Sequence, residues 1–294
     1  MLSIAFLGLG SIGRPIAKRI AGAGFPLTVW NRTAERAASF AAEHTSRHAS
    51  TVADAIRGAD VVVTCLSTSL DVDSILDDTA VNAFRNDSVL LDLTSGDPAT
   101  SKRIAQRVGA KGVRFVDAPV SGGVKGAQEG TLTGMCGGDT DALERVTPVI
   151  EAFGKKIVHC GPVGAGDAVK AMNQALLAIT IWGTGEALVA LAKSGVSPHV
   201  ALEVINASSG RSNASMNLFP ERVLTRAFPR TFRLALLDKD ARIAAQISRD
   251  ERVPAPLTQL ASELCTLARQ ELGEEADHVE AVKMTERWAG AEIR

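Results

Sequence analysis

A lysine and an asparagine lie three residues apart on an otherwise apolar helical segment of the chain. They are Lys170 and Asn173, in the stretch GPVGAGDAVKAMNQ at 161–174. Residues at i and i+3 share one face of a helix. A lysine ammonium can give a proton to a carbonyl oxygen, and a neutral amine can take one from an alcohol, if burial or nearby charge brings its pKa toward neutrality. We predict that Lys170 is catalytic and that Asn173 binds a substrate hydroxyl or orients the lysine. The alternative is a lysine that reaches solvent from a helix end.

A serine and two glycines follow a β-branched run, in DAPVSGG at 117–123. Ser121 supplies a hydroxyl group, and Gly122 and Gly123 let a small ligand reach backbone N–H groups. Successive N–H groups of this kind suit a carboxylate. We predict that these three residues bind the substrate; the alternative is a plain turn.

The sequence GLGSIG lies between a predicted strand and a predicted helix, which is the setting that a dinucleotide-binding loop requires. The first glycine permits a tight turn, the second lets the backbone approach a pyrophosphate, and the third lets helix and strand pack closely. The N-terminus of the helix then offers N–H groups to phosphate. The predicted cofactor-binding loop consists of Gly8, Leu9, Gly10, Ser11, Ile12 and Gly13.

The end of the second predicted strand indicates which cofactor binds. An NAD site usually has an acidic residue there to bind the ribose 2′-hydroxyl, but this chain has Asn31, Arg32 and Thr33. Arg32 would attract a 2′-phosphate, and its neighbours would add hydrogen bonds. The sequence therefore predicts NADPH, with NADH as the weaker alternative, unless Arg32 is only a solvated surface charge.

Composition excludes several classes of function. The 294 residues carry 32 basic and 33 acidic side chains, so the chain has no excess of positive charge to attract nucleic acid. No uninterrupted apolar run reaches the roughly 18–20 residues that span a bilayer, and the apolar N-terminus reads as a strand and not as a signal peptide. The four cysteines and five histidines show no metal-site spacing. No tyrosine is present, which excludes a catalytic tyrosine. We expect a reduced, cytoplasmic protein without a metal.

Short β-branched runs alternate with helical patterns up to residue 161, and only helical patterns follow. Alternation of this kind predicts a doubly wound parallel sheet covered by helices on both faces. One long helical pattern covers 164–194 and joins the two halves. We therefore predict an α/β domain at 1–162 and an all-helical domain at 163–294.

Four separated motifs together resemble the β-hydroxyacid dehydrogenase family, and their spacing fits over nearly the whole chain. They are GLGSIGRPIA at 8–17, DAPVSGGVKGAQEGTLTGMCGG at 117–138, GAGDAVKAMNQ at 164–174 and LLDKD at 236–240. The resemblance implies an N-terminal Rossmann domain, a long interdomain helix and a helical substrate and dimerisation domain. It implies that Lys170 is the acid/base and that the protein is a homodimer or tetramer.

The resemblance also implies cofactor contacts that spacing alone does not indicate. In it Lys239, supported by Asp240, closes over the nicotinamide, and Ser95 lies near the nicotinamide ribose. Many members have proline in place of Ser67 and Ser-Thr in place of Thr94-Ser95, and both changes keep plausible contacts. The cofactor-lining residues implied are Leu66, Ser67, Asp71, Thr94, Ser95 and Lys239.

The function implied is NADP(H)-dependent interconversion of a short β-hydroxy acid and its semialdehyde, or reduction of glyoxylate or succinic semialdehyde. The enzymatic alternatives are an imine reductase and a sulfonate-type hydroxyacid dehydrogenase, and the non-enzymatic one is a nucleotide-sensing module. Lys170 separates these readings, because imine reductases usually lack the lysine and a binding module has no need of it. Arg211 and Lys125 are candidates for contacting a second acidic group of the substrate, but a solvated surface role is as plausible for each.

Overall fold

A computed structural model describes all 294 residues and shows two compact units, Met1–Lys170 and Ala171–Arg294. The division falls inside one helix, α9 (Ala165–Lys193), whose first turns belong to the first unit. The two units are described separately below.

The first unit contains a nine-stranded sheet. Seven strands match β-branched runs of the sequence, namely β1, β2, β4, β5, β6, β8 and β9. Strands β1 to β6 are parallel in the order β3-β2-β1-β4-β5-β6. This confirms the predicted doubly wound parallel sheet. The strands are β1 (Ile4–Leu7), β2 (Leu27–Trp30), β3 (Arg47–His48), β4 (Val61–Thr64), β5 (Val89–Asp92), β6 (Arg114–Asp117), β7 (Val120–Ser121), β8 (Leu132–Gly138) and β9 (Gly154–Gly161).

The far edge of the sheet departs from the parallel pattern. Strand β8 is antiparallel to both β6 and β7, whereas β9 is parallel to β8. The two-residue strands β3 and β7 are not predicted, because each exists only through pairing with a neighbour and has no periodicity of its own. The helices of this unit are α1 (Gly13–Gly22), α2 (Ala34–Glu43), α3 (Val52–Ile56), α4 (Ser69–Ile75), α5 (Asp78–Ala83), α6 (Pro98–Gly109), α7 (Gly123–Glu129) and α8 (Thr140–Glu151).

Each face of the sheet has its own hydrophobic core. Successive residues of a strand point to opposite faces, so Ile4 and Phe6 enter one core while Ala5 and Leu7 enter the other. Burial on both faces explains why β1 and its neighbours are continuous apolar runs. The central strands are therefore packed on both faces, and the loops at their carboxyl ends are anchored to well-packed strands.

The second unit is all-helical, as predicted. Its core contains Trp182 of α9, Phe219, Leu237 and Cys265. The sequence does not predict the π-helix Ala214–Val223, which contains Pro220 and so lacks a regular α-helical pattern. The other helices are α10 (Pro198–Ala207), α11 (Leu234–Asp250), α12 (Pro256–Leu272), the 3₁₀-helix His278–Ala281 and α13 (Val282–Ala289).

Helix α9 alters one expectation about membranes. Its 29 residues are, by length and composition alone, long and apolar enough to cross a bilayer, although Glu186 and several small polar residues interrupt the apolar run. A core helix of a folded unit meets the same test. Ile181, Trp182 and Leu188 of α9 are buried in the core of the second unit, which accounts for part of its apolar character.

Candidate active site

The glycine loop after β1 is shaped by two close backbone contacts and one open position. A methyl group at Gly8, where φ is +110°, would lie 2.4 Å from the carbonyl oxygen of Cys65, and one at Gly13 would lie 2.0 Å from the carbonyl oxygen of Gly8. At Gly10 nothing lies within 4 Å of such a group. No side chain caps the N-terminus of α1. The loop therefore fits a pyrophosphate, which would approach Gly10 and the first turn of α1.

The residues at the end of β2 have different surroundings. The Asn31 side chain accepts a hydrogen bond from the Leu9 amide at 2.9 Å and donates one to the carbonyl oxygen of Thr33 at 3.0 Å. Asn31 therefore fastens the glycine loop to the end of β2. Arg32 and Thr33 are exposed at the predicted position of the 2′-phosphate.

The predicted carboxylate-binding residues lie at a strand-to-helix junction. Ser121 is in β7, Gly122 is the N-cap of α7 with φ of +131°, and Gly123 is the first residue of α7 with φ of +64°. Both glycines are exposed, and a side chain at either would be strained. Their backbone is thus accessible to a small ligand. Lys125, in α7, is exposed.

Lys170 is buried, with 7% of its surface exposed, in the part of α9 that belongs to the first unit. The Asp117 carboxylate, at the end of β6, caps this helix. It accepts hydrogen bonds from the Gly164 amide at 2.7 Å and from the Asp167 amide at 3.0 Å. Amides in the first turn of a helix lack partners within the helix, so this carboxylate fixes the start of α9 at the edge of the sheet.

A second buried carboxylate joins the same helix to the loop after β5. Asp167 accepts hydrogen bonds from the Gly96 amide at 2.9 Å and from the Ser101 hydroxyl at 2.7 Å. Gly96 directly follows Thr94 and Ser95, which the family resemblance assigns to the cofactor. The first turns of α9 and this loop are therefore held together within the first unit.

A third carboxylate, Asp92, lies at the end of β5 opposite Asp117 in β6. One of its oxygens accepts from the Thr64 hydroxyl at 2.8 Å and the Thr94 amide at 3.0 Å, while the other is buried without a hydrogen bond. The Thr94 hydroxyl accepts from the Leu66 amide at 3.0 Å. Two of the predicted cofactor-lining loops are thereby linked.

Burial changes the acidity of all three carboxyl groups. It raises the pKa of Asp92 to about 6 and raises the pKa of Asp117. It raises the pKa of Asp167 well above the usual range, with the negative charges of Asp117 and Asp92 adding to the effect. Clusters of perturbed carboxyl groups are typical of functional sites. A functional role for these three acids is not predicted from the sequence. The only local signals are an acid at the end of each of two adjacent strands and an acid one turn before Lys170.

Three predicted positions lie in the second unit. Asn173 is exposed, and its amide donates to the Gln174 side chain at 3.2 Å. The Lys239 ammonium lies 3.0 Å from the carboxylate of Asp240, which is buried. Arg211 is exposed in the segment between α10 and the π-helix.

The remaining predicted cofactor residues lie in the first unit. Ser11 is exposed, Ile12 precedes α1, and Leu66 and Ser67 lie in the loop after β4. Asp71, in the first turn of α4, accepts from the Thr68 hydroxyl at 2.7 Å.

Two family models match the chain. Residues 3–161 match the NAD binding domain of 6-phosphogluconate dehydrogenase, and residues 164–285 match the NAD-binding domain of NADP-dependent 3-hydroxyisobutyrate dehydrogenase. Together they cover both halves of the chain.

Curated relatives and a solved structure agree with these matches. The chain is 32% identical to 2-(hydroxymethyl)glutarate dehydrogenase of Eubacterium barkeri, over 99% of this chain and 97% of that protein. It is 34% identical to NAD-dependent L-serine dehydrogenase of Pseudomonas aeruginosa, over 91% and 92%. A structure of Mycobacterium tuberculosis 3-hydroxyisobutyrate dehydrogenase with L-serine matches with a TM-score of 0.90 at 30% identity, over 97% and 99%. The chain is thus a nicotinamide-dependent oxidoreductase acting on the CH–OH group of a hydroxy acid, and it belongs to the β-hydroxyacid dehydrogenase family.

Proposed function

We propose that this enzyme interconverts a 3-hydroxy acid and its semialdehyde with NADP(H), and that Lys170 is the general acid/base. One observation carries the proposal. A buried lysine lies on a helix whose start is fastened to the carboxyl edge of the sheet, in the same unit as a glycine loop that fits a pyrophosphate. Ligands bind at that edge in open α/β sheets.

The names of the relatives narrow the substrate class. 3-Hydroxyisobutyrate, 2-(hydroxymethyl)glutarate and L-serine each have a CH₂OH group on the carbon that bears the carboxylate. They differ in the third substituent of that carbon, which is a methyl, a carboxyethyl or an ammonium group. We propose that the substrate of this enzyme has the shared part, with the carboxylate bound by Ser121, Gly122 and Gly123.

Each residue of the site then has a role in proton transfer, substrate binding or cofactor binding. Lys170 takes the proton of the hydroxyl group during oxidation and returns it to the carbonyl oxygen during reduction. Asn173 binds the same hydroxyl group. The bound nicotinamide supplies the hydride chemistry. We assign the contacts to the cofactor beyond the glycine loop, on the family resemblance, to Leu66, Ser67, Asp71, Thr94, Ser95 and Lys239.

We propose NADP(H) because of the residues at the end of β2. Arg32 is exposed there, and no acidic residue is present to bind a 2′-hydroxyl or repel a 2′-phosphate. The L-serine dehydrogenase is NAD-dependent, whereas one matching family model is that of an NADP-dependent 3-hydroxyisobutyrate dehydrogenase, so cofactor choice varies within the family.

Steady-state rates test the chemistry. Absorbance at 340 nm would be followed with the three hydroxy acids and, in reverse, with methylmalonate, succinic and tartronate semialdehydes and glyoxylate. We expect Lys170→Ala to lower kcat about 10²–10⁴-fold, since that is the usual cost of losing a general acid/base, while NADPH still binds. Lys111→Ala, at an exposed lysine of the first unit, is the matched control. Near-normal turnover by Lys170→Ala would refute the assignment.

The cofactor preference has its own test. Arg32→Ala should reduce the ratio of kcat/KM for NADPH over NADH by about 10-fold or more, because a charge-assisted contact to phosphate is lost. Arg36→Ala, another exposed arginine close in sequence, controls for net charge. An unchanged ratio in Arg32→Ala would show that Arg32 does not bind the 2′-phosphate.

A further inference from the structure

We propose that Asp167 is a positioning residue for Lys170. It holds the first turns of α9 against the loop after β5, so that the proton-transferring amine and that loop keep one fixed spacing. The inference rests on the proposed function in one respect, namely that Lys170 is the acid/base.

The contacts of Asp167 bridge two separate parts of the first unit. Its carboxyl oxygens accept from the Gly96 amide and the Ser101 hydroxyl, and only 1% of the residue is exposed. A methyl group at Gly96 would lie 2.7 Å from the Ser69 hydroxyl and about 3 Å from both carboxyl oxygens of Asp167. Glycine at 96 therefore permits this close approach.

The turn that Asp167 holds is the turn that sets the direction of Lys170. Residues three apart lie on one helix face, so a shift at Asp167 moves the base of the lysine side chain directly. Asp117 holds the same turn through the Gly164 and Asp167 amides. A methyl group at Gly166 would lie 2.1 Å from the carbonyl oxygen of Met135. The start of α9 thus has little freedom once both carboxyl groups are in place.

Asp167 acts through hydrogen bonds and not through charge. Burial and the nearby carboxylates of Asp117 and Asp92 raise the pKa of Asp167 well above its usual range, which favours the neutral acid. An asparagine at this position would keep an oxygen that accepts from Gly96 and would offer its amide to the Ser101 oxygen. Asp167→Asn should therefore preserve the position of Lys170, whereas Asp167→Ala should not.

The test compares Asp167→Ala, Asp167→Asn, Lys170→Ala and the double variant Asp167→Ala/Lys170→Ala. A misplacement of about 1 Å costs on the order of 10²-fold in rate, so we expect kcat of Asp167→Ala to fall by 10–100-fold with little change in the Kd for NADPH. Asp167→Asn should keep a near wild-type kcat and an unshifted pH profile. In the Lys170→Ala background, Asp167→Ala should lower the residual rate no further, because its effect passes through the lysine.

Two controls separate positioning from general stability. Asp139 is exposed and caps α8 by accepting from the Asp141 and Ala142 amides, so Asp139→Ala removes two hydrogen bonds to an aspartate elsewhere in the first unit. It should lower Tm without lowering kcat. Ser101→Ala removes one of the two bonds to Asp167 and serves if Asp167→Ala does not fold. Hydrogen–deuterium exchange should accelerate at Gly96 and at 164–170 in both Asp167→Ala and Ser101→Ala, but not in Asp139→Ala.

The possible failures are distinguishable. An inactive Lys170→Ala beside a fully active Asp167→Ala overturns the role of Asp167 and leaves the proposed function intact. A kcat loss in Asp167→Asn equal to that in Asp167→Ala, or a shifted pH profile in Asp167→Asn, overturns positioning by hydrogen bonds. Turnover by Lys170→Ala refutes the proposed function itself, and with it any role of Asp167 that acts through this lysine.

Discussion

Three buried aspartates of the first unit and Asp277 of the second unit have pKa values that are shifted in opposite directions. In the first unit, burial raises the pKa of Asp92, Asp117 and Asp167. In the second unit, Asp277 is equally buried. Burial alone would raise the pKa of Asp277, but hydrogen bonds and charge from His278 and the amides of Phe232 and Thr231 outweigh it and hold that pKa well below the usual range.

Asp277 and Asp92 differ in how completely hydrogen-bond donors surround the carboxylate, which explains the difference between these two residues. One oxygen of Asp277 accepts from the Thr231 amide and hydroxyl and the Phe232 amide, and the other accepts from Val279 and lies 3.0 Å from His278. Asp92, by contrast, has one buried oxygen without a partner. A buried carboxylate is stable when donors replace its lost hydration, and it is costly when they do not.

The comparison indicates what each set of acids is for. Asp277 joins the segment before α11 to the 3₁₀-helix, where it also forms a capping box with Glu280. The role of Asp277 is therefore structural. In the three acids of the first unit burial outweighs the hydrogen bonds and raises each pKa, so the ionised form is costly. These acids lie at the ends of β5 and β6 and in the first turn of α9, the helix that carries Lys170. Such a cost is typical of residues retained for a site and not for stability.

The largest loss of stability is expected when the Asp277 carboxylate is removed. Asp277→Ala should lower the free energy of unfolding by about 3–5 kcal/mol, since it leaves several buried donors unpaired. Urea denaturation measures this, with Asp277→Asn as the control that keeps one acceptor and should lose less. A loss below about 1 kcal/mol would contradict the interpretation of Asp277 as the better-solvated acid.

A change in pH should distinguish the two kinds of acid. The folded pKa of Asp92 is about 6 against an ordinary 3.8, so the folded state binds this proton more tightly than the unfolded state does. Preferential protonation of folded Asp92 therefore adds to the free energy of unfolding. This contribution is roughly 3 kcal/mol at and below about pH 4, and it is lost as the pH rises to about 6. Asp277 has the opposite sign, since its contribution is lost as pH falls below about 4.

Asp92→Asn tests this directly, because asparagine does not titrate. Relative to the wild type, the variant should gain stability between pH 4 and pH 7.5, whatever its absolute stability. Chemical denaturation of both proteins across that range gives the difference, and two parallel curves would show that Asp92 does not titrate differently on folding.

Features with a local sequence signal are predicted from the sequence, and features that depend on contacts between distant residues are not. Continuous apolar runs predict the central strands, and GLGSIG between a strand and a helix predicts the loop, because both signals are local. The acids of the first unit are not predicted, because their function depends on contacts that no local pattern contains. Asp167 and Gly96 are 71 residues apart in the chain. Likewise β7 is not predicted, because it exists only by pairing with β8. The π-helix is not predicted either, because Pro220 interrupts the regular helical pattern of its sequence.

Two glycines of α9, one in each unit, extend the comparison to packing. Gly166 lies against the Met135 carbonyl and the Asp117 carboxylate, at 2.1 and 2.8 Å from an added methyl group. Gly166→Ala should therefore destabilise the protein by about 1–3 kcal/mol through overpacking. Thermal unfolding measures the effect, and an unchanged Tm would mean that the start of α9 is not tightly held.

Gly183, in the second unit, should behave in the opposite way. It is exposed, and nothing lies within 4 Å of an added methyl group. Gly183→Ala should raise the free energy of unfolding by roughly 0.5–1 kcal/mol, because alanine loses less backbone entropy in a helix. Gly185→Ala is the control two residues away, where the methyl group would lie 3.0 Å from Val282 and the gain should disappear. The exposed side of α9 also carries Leu176, which is 63% exposed. If Gly183→Ala destabilises the protein instead, and its Tm depends on protein concentration, then a second copy of the chain covers this side of the helix in solution.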